Sequence, residues 1–334
     1  MIGVHHVRHL PTFVSVEPAN FCQLACPECP VGMNRNKSSN LQTFQSSNKN
    51  NTQALPGVLS LSDYKQIISK ISSYAHTLQL FWQGEPLLNP QLPEMIHIAR
   101  EAGLYTIVST NAQALDRPMA QALVGAGLNR IIISMDGWTQ QTYEQYRQGG
   151  SVDKVKAAIG YLSEAKQLST VHTALADRSR LSRDKNCQLS TIIELQCLYL
   201  RTNEAEWGTF RREYRKLGAD RLTMKTAQLY DYAEGSPFMP SDARFARYKW
   251  RAREGRYVLK RRLRNRCMRL WSGCVVDIHG NVFPCCYDKN HQYPLGNLLR
   301  QSLADIFHGA PAQHFRETIL SHRASIPVCT NCDA

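Results

Sequence analysis

The sequence predicts an α/β protein: a partial, TIM-like (β/α)6 barrel with a small cysteine-rich domain behind it. Three observations predict this. From residue 13 to about 226, short β-rich runs alternate with longer amphipathic segments, the pattern of βα units around a parallel sheet. After Tyr232 that rhythm gives way to a Pro- and Gly-containing linker and a strongly basic run. The cysteines other than Cys187 and Cys197 fall into two groups, one directly after the first strand and one in the tail.

Six strands are expected in order at Phe13–Val16, Leu78–Trp82, Tyr105–Ser109, Arg130–Ser134, Ile192–Leu200 and Arg221–Lys225. The intervening helices carry their own start and stop signals. Ser60 and Asp63 have capping-box spacing ahead of Tyr64, Ile67, Ile68 and Ile71. Asn89-Pro90 opens the next helix and Gly103 closes it; Asp116 precedes a helix ending near Gly125 to Gly127. Two stretches, 34–54 and 169–190, are rich in polar residues and read as mobile surface insertions. The expected domains are therefore a barrel over residues 1–232, a basic linker over 233–264 and a cysteine-rich domain over 265–334.

Composition narrows the function classes. A chain of 334 residues with 43% hydrophobic content buries a large core, which excludes a disordered chain or a coiled coil. No stretch approaches the roughly 18 consecutive apolar residues of a membrane span, and the N-terminus lacks the apolar core of a secretory signal, so no membrane association and a cytoplasmic location are expected. Eleven cysteines in such a chain read as reduced thiolates that bind metal, not as a disulfide framework. Much of the net charge of +13 is local: between Arg244 and Arg269 stand twelve Lys or Arg residues against Asp242 and Glu254. That run is read as a solvated helix face, and nucleic acid is not the expected partner.

The first cysteine group, Cys22-x3-Cys26-x2-Cys29, places three thiolates on one short loop. They can occupy three corners of a cubane cluster, and the following Pro30, Val31, Gly32 and Met33 offer no fourth ligand, which leaves one iron open. This loop resembles the motif of the radical S-adenosylmethionine (SAM) superfamily, with Glu28 where the family commonly has an aromatic residue. The second strand ends in Gln83-Gly84-Glu85-Pro86, which resembles the family's G-G-E-P motif with Gln83 in place of the first glycine. The third ends in Ser109-Thr110-Asn111, and the fourth in Ser134-Met135-Asp136, followed by Tyr143 and Arg147. The resemblance implies that these residues, Gln83, Gly84, Glu85, Pro86, Ser109, Asn111, Ser134, Asp136 and Arg147, bind SAM. It also makes Arg147 a partner for the SAM carboxylate.

The tail resembles the SPASM and twitch domains of radical SAM maturases and dehydrogenases. Cys267 is separated by twelve residues from Gly280, which precedes Cys285 with the family's spacing; Cys329 and Cys332 follow as C-x2-C. The run Val275 to Phe283 reads as a hairpin with a His-Gly-Asn turn that returns Cys285 toward Cys267. The resemblance implies one auxiliary [4Fe-4S] cluster on Cys267, Cys285, Cys329 and Cys332. Cys274 and Cys286 remain alternatives to a named ligand or buried small hydrophobes, and tetrahedral zinc is the alternative metal.

The resemblance implies reductive cleavage of SAM to a 5′-deoxyadenosyl radical and hydrogen abstraction from a peptide or small molecule, by an oxidoreductase or a peptide maturase. The electron comes from a donor such as flavodoxin or ferredoxin. A base is also required for oxidation, and Glu194, Gln196, Lys225, Tyr230 and Asp231 are candidates, with Lys225 first and Asp231 retained beside it. The competing readings are a twitch-type alcohol dehydrogenase, an RNA-modifying radical SAM enzyme and a non-catalytic iron–sulfur carrier.

Overall fold

The structure, a computed structural model, describes residues 10–37, 57–176 and 190–332. Six parallel strands follow one another in chain order: β1 (Phe13–Val16), β2 (Thr77–Gln79), β3 (Tyr105–Thr110), β4 (Arg130–Ser134), β5 (Ile192–Tyr199) and β6 (Arg221–Thr226). β-Branched residues dominate β4, Arg-Ile-Ile-Ile-Ser, and all but its first residue are buried, as a central parallel strand covered on both faces requires. β2 is shorter than expected. Leu80 N–H still donates to Ile107 O, but Phe81 and Trp82 leave the ladder because the next two amides, Gln83 and Gly84, turn to the Glu17 carboxylate instead.

The connections on the outside of this sheet are α1 (Pro30–Lys37), α2 (Leu61–Ile71), α3 (Leu92–Glu101), α4 (Arg117–Gly125), α5 (Gln140–Tyr146), α6 (Val152–Ala176) and α7 (Trp207–Glu213). Ser60 caps α2 by accepting the Asp63 N–H at 3.1 Å, and Tyr64, Ile67, Ile68 and Ile71 form its buried stripe. α3 begins two residues later than Asn89-Pro90 suggests, because Asn89 accepts the Gln91 N–H at 3.0 Å and prolongs the turn. Gly103, at φ +77°, ends it in the left-handed region that favours glycine. Of the two stretches read as mobile insertions, residues 38–56 and 177–189 lie outside the described residues, whereas the backbone of 169–176 continues α6.

The tail does not form a separate sheet. β9 (Gly273–Val276) pairs in parallel with β1, Val14 opposite Cys274; β10 (Asn281–Phe283) returns antiparallel to β9, and β11 (Gly296–Asn297) completes a nine-stranded order β11-β10-β9-β1-β2-β3-β4-β5-β6. The expected His-Gly-Asn turn is present: Asp277 Oδ1 accepts the His279 and Asn281 amides, and Gly280 sits at φ +77°. The hairpin is followed by α9 (Leu303–His308), α10 (Ala310–His322) and α11 (Pro327–Thr330), while α8 (Arg269–Ser272) leads into β9.

The basic run is not the helix face read from the sequence. β7 (Tyr248–Arg251) and β8 (Arg256–Leu259) form a two-stranded antiparallel hairpin. Its Tyr-Lys-Trp-Arg and Arg-Tyr-Val-Leu strands have a strand's alternation, and Gly255, at φ +61°, supplies the turn.

Candidate active site

The chain leaves β1 through Glu17 and enters the Cys22–Cys29 loop. Ala25 N–H donates to Gln148 O at 3.1 Å, Cys29 N–H to Cys26 O at 3.2 Å, and Met33 N–H to Cys29 O at 2.7 Å, which starts α1. A Cβ at Gly32 would lie 2.4 Å from Cys26 O, so only glycine lets the helix close on the loop. Cys22 Sγ accepts from Leu24 N and from Asn111 Nδ2, each at 3.4 Å. The Arg147 guanidinium stands 4.0 Å from Cys26 Sγ.

Burial pushes the Cys22 thiol up to about 12 and raises Cys26 as well, with Arg147 opposing the rise at Cys26. The three thiols pack against one apolar cluster, Leu24, Tyr146, Leu200, Leu229 and Tyr248 among it, and Cys22 and Cys26 are poor anions by themselves. A cluster of positive irons offsets that penalty, and three soft sulfur donors are the donor set it takes. Among the described residues no three His, Cys, Asp or Glu side chains converge on a single-ion position. Three thiols on one short loop, packed against the same apolar cluster, are the donor set an iron–sulfur cubane takes.

Next to this loop lies Gln83-Gly84-Glu85-Pro86. Glu17 Oε1 accepts the Gln83 amide at 3.1 Å and the Gly84 amide at 3.3 Å. A Cβ at Gly84 would stand 2.0 Å from Ala19 O, so the motif lies directly on the backbone leading to Cys22. Glu85 is fully enclosed: Oε1 accepts Thr110 Oγ1–H at 2.5 Å and Leu87 N–H at 3.1 Å, and Oε2 accepts Asn111 N–H at 2.8 Å. It joins the ends of β2 and β3, and Pro86 starts a short 3-10 turn behind it. Asn111 reaches both Cys22 and Gln23. Gln83 Nε2 donates to Lys289 O at 3.0 Å, tying the motif to the tail.

Asp136 and Arg147 are brought together, but as each other's partners. Arg147 Nε donates to Asp136 Oδ2 at 2.5 Å, and Asp136 Oδ1 accepts Leu198 N–H at 2.6 Å. Ser134, at the end of β4, is buried. Glu17 was not singled out in the sequence, although a carboxylate directly after a buried strand was the available signal. It is 1% exposed, its Oε2 has no partner among the described residues, and burial raises its pKa to about 7 against the two amides and Lys289.

Inward residues of all six barrel strands, Ser15, Gln79, Ser109, Ile132, Gln196 and Lys225, line one cavity of about 450 Å³. Trp82, Arg269, Cys285 and Cys286 close its other wall, and none of the described lining residues is acidic. Partial desolvation lowers the Lys225 ammonium, against the pull of Glu194, although the residue as a whole is exposed. Gln196 Oε1 is buried without a hydrogen-bond partner among the described residues. Cys286 is held down by the hydrogen bond from Cys285 and by Lys289 and Arg269, and has Arg269 at 3.2 Å. Glu194 is paired with Arg130 instead of facing this space openly. Asp231 does not line the cavity; it is exposed near Glu28, whose carboxylate accepts Tyr230 N–H at 2.8 Å.

In the tail, Cys267, Cys329 and Cys332 are buried around Arg323. Its guanidinium donates to Cys332 Sγ at 3.4 Å, bonds Cys329, and reaches Arg266 O at 2.6 Å. Cys285 feels the Cys332 sulfur as a near charge, so the four named thiols share one neighbourhood. Cys274 stands apart from those four: it is 3% exposed in the main core, where burial raises it to about 12, and it also lines the cavity beside Cys285 and Cys286.

A family model described as the radical SAM superfamily matches residues 16–176, and one described as an iron–sulfur cluster-binding domain, SPASM, matches residues 267–333. The Fe-coproporphyrin III synthase of Methanosarcina barkeri is 36% identical over 27% of this chain, a match that spans only 22% of that relative's length. The PqqA peptide cyclase of Xanthomonas campestris is 26% identical over 96% of this chain and 79% of its own. Among solved structures, BtrN in complex with AdoMet and 2-DOIA has the same fold, with a TM-score of 0.53 at 17% identity over 97% of this chain and 94% of that one. The cysteine loop on β1, the strand-end motif beside it and the cysteine-rich tail thus fall within two matched families, and the chain belongs to the radical SAM superfamily with a C-terminal SPASM-type cluster-binding domain.

Proposed function

We propose that the chain cleaves SAM reductively and uses the resulting radical to abstract hydrogen from a peptide side chain held in the barrel cavity. The observation that carries this reading is the single cavity built from six strands and walled by Cys285 and Cys286, with the Cys22 loop on the strand that starts it. Cys22, Cys26 and Cys29 hold the SAM-binding cluster in this reading; Cys267, Cys285, Cys329 and Cys332 hold one auxiliary cluster. A cubane held there with one open iron would supply the single electron needed to break the sulfonium C5′–S bond of SAM, giving methionine and a 5′-deoxyadenosyl radical.

The protein's own residues do the rest. Gln83, Gly84, Glu85 and Pro86 shape the amino-acid end of the SAM site, and Ser109, Asn111 and Ser134 stand at the neighbouring strand ends. Asp136 orients Arg147 beside Cys26. The apolar wall excludes water. Arg269 offers a permanent cation to an anionic substrate group. Lys225, with its lowered pKa, is placed to take the proton when a substrate radical is oxidised. The similarity to a peptide cyclase along nearly the whole chain supports a peptide substrate.

The test is anaerobic reconstitution with iron and sulfide, reduction with dithionite, and chromatography for 5′-deoxyadenosine. Full iron loading without 5′-deoxyadenosine favours the iron–sulfur carrier reading. Cleavage of SAM without deuterium transfer from any peptide labelled in its side chains removes the peptide part alone.

A further inference from the structure

The β7–β8 hairpin does not contribute to the described lining of the cavity, and it lies inside a strongly basic stretch of the chain. Twelve Lys or Arg residues lie between Arg244 and Arg269, four of them on the hairpin itself, Lys249, Arg251, Arg253 and Arg256, while Arg269 belongs to the cavity wall. The nearby acids are spent within the segment: Asp242 pairs with Arg244, and Glu254 with both Arg251 and Arg256. Lys249, Arg253 and Arg262 are exposed and make no ion pair among the described residues. Trp250, also on the hairpin, is 54% exposed, with its ring edge against Tyr257. A large aromatic ring inside a field of cations has the composition of a contact surface.

The foot of the hairpin rests on both cysteine groups. Tyr248, its first residue, is buried. Its phenol accepts Leu229 N–H at 2.9 Å and donates to Asn331 Oδ1 at 2.8 Å, and Asn331 lies between Cys329 and Cys332. The residue after Leu229, Tyr230, gives its N–H to Glu28, the neighbour of Cys29. Tyr248 also packs in the apolar cluster that contains Leu24 and Cys26.

We propose that this hairpin is the docking site for a small, acidic, low-potential electron-carrier protein of the flavodoxin class. The inference rests on the radical SAM reading, which requires one electron from outside for each SAM cleaved. The carrier gives up that single electron and leaves oxidised by one electron; no atom or proton passes between the proteins, and the electron is consumed in breaking the C5′–S bond. Charge complementarity selects the partner, since a positive field speeds encounter with an acidic surface. Position selects a carrier over a substrate: the hairpin lines no part of the cavity, whereas its foot touches the loops of both cysteine groups, where an electron enters.

The test uses the iron-loaded protein and an acidic bacterial flavodoxin. Calorimetric titration of oxidised flavodoxin should give binding that weakens as salt rises and falls roughly tenfold or more in Lys249→Glu/Arg253→Glu/Arg262→Glu. SAM cleavage driven by flavodoxin, its reductase and NADPH should fall by a similar factor, while cleavage driven by dithionite stays unchanged. Unaltered flavodoxin affinity in the triple variant overturns the proposal, as does an equal loss with dithionite in a folded, iron-replete variant. Loss of tRNA or acidic-peptide binding in the variant, with the flavodoxin titration unmoved, assigns the hairpin to that partner and also overturns it. Absence of dithionite-driven cleavage in the unaltered chain refutes the radical SAM activity instead, and the calorimetric comparison still judges the docking site.

Discussion

Glu17→Gln isolates the carboxylate that holds the Gln83 and Gly84 amides. The change keeps an oxygen for those two N–H groups and removes the charge. Burial raises the Glu17 pKa from 4.5 to about 7 in the folded protein, with Lys289 pulling it down and Asp277 pushing it further up. A raised carboxyl binds its proton more tightly folded than unfolded, so the protein carries no penalty well below pH 4.5. It loses stability as pH climbs from there through about 7, and the loss is complete above that. A shift of this size costs about 3 kcal/mol at 1.36 kcal/mol per unit, of which about 2 to 3 kcal/mol develops between pH 5 and pH 8. The variant escapes this loss but buries an amide nitrogen where Oε2 has no partner, a cost of about 1 to 3 kcal/mol that does not vary with pH. Urea unfolding of both proteins at pH 5 and pH 8 separates the two effects. The stability of the variant relative to the unaltered chain should rise by about 2 to 3 kcal/mol between the two pH values. A difference that stays flat across that range refutes the assignment of a buried, charge-penalised carboxylate at this position.

Three further outcomes are expected. Replacing Cys22, Cys26 and Cys29 together by Ala should leave about half the iron after reconstitution, because the tail keeps its own cluster; retention of all the iron would show that the cluster count is wrong. Gly84→Ala places a Cβ 2.0 Å from Ala19 O, a backbone atom that cannot swing aside, so the strand-end loop must shift. SAM affinity measured by equilibrium dialysis should fall about tenfold with iron content unchanged, and unchanged affinity would remove the motif from the SAM site. Lys225→Met should lower product formation on the order of 10²-fold while 5′-deoxyadenosine still forms, and the two rates falling together would exclude a role confined to proton transfer.

The barrel strands were legible because their signal is local. Ile131, Ile132 and Ile133 in β4, or Ile192 and Ile193 in β5, announce a buried parallel strand wherever they sit. The helix caps at Ser60 and Asp116 are equally local, each accepting an amide three residues on. What the sequence does not display is pairing between distant segments. The parallel match of Phe13–Val16 with Gly273–Val276 spans most of the chain, and no periodicity in either strand names the other. The basic hairpin was misread for a different reason: twelve cations mask the two-residue alternation of Tyr248, Trp250, Tyr257 and Leu259. Arg323 and Glu17 were invisible as functional residues because their importance comes from burial, and a lone Arg or Glu in a sequence is ordinarily at the surface.

The addition of β9 to β1 decides how the two cysteine groups relate. A barrel of six strands open at β1 would present an unpaired edge to solvent, and its cavity would lack a wall on that side. β9 fills the edge, and the return strand β10 delivers Pro284, Cys285 and Cys286 to the space between Ser15 and Arg269. The same arrangement makes the Gln83-Gly84-Glu85-Pro86 motif depend on the tail. Trp82 Nε1 donates to Cys286 O at 3.0 Å, Gln83 Nε2 to Lys289 O at 3.0 Å, and Trp82 packs on Phe283 with ring centroids 5.4 Å apart. Gln83 therefore has a physical use where the resembled motif carries glycine: its side chain spends its amide on the tail and leaves its backbone N–H to Glu17. The side chain fastens the strand end to the segment that carries Cys285, so that the position of one cysteine group constrains the other.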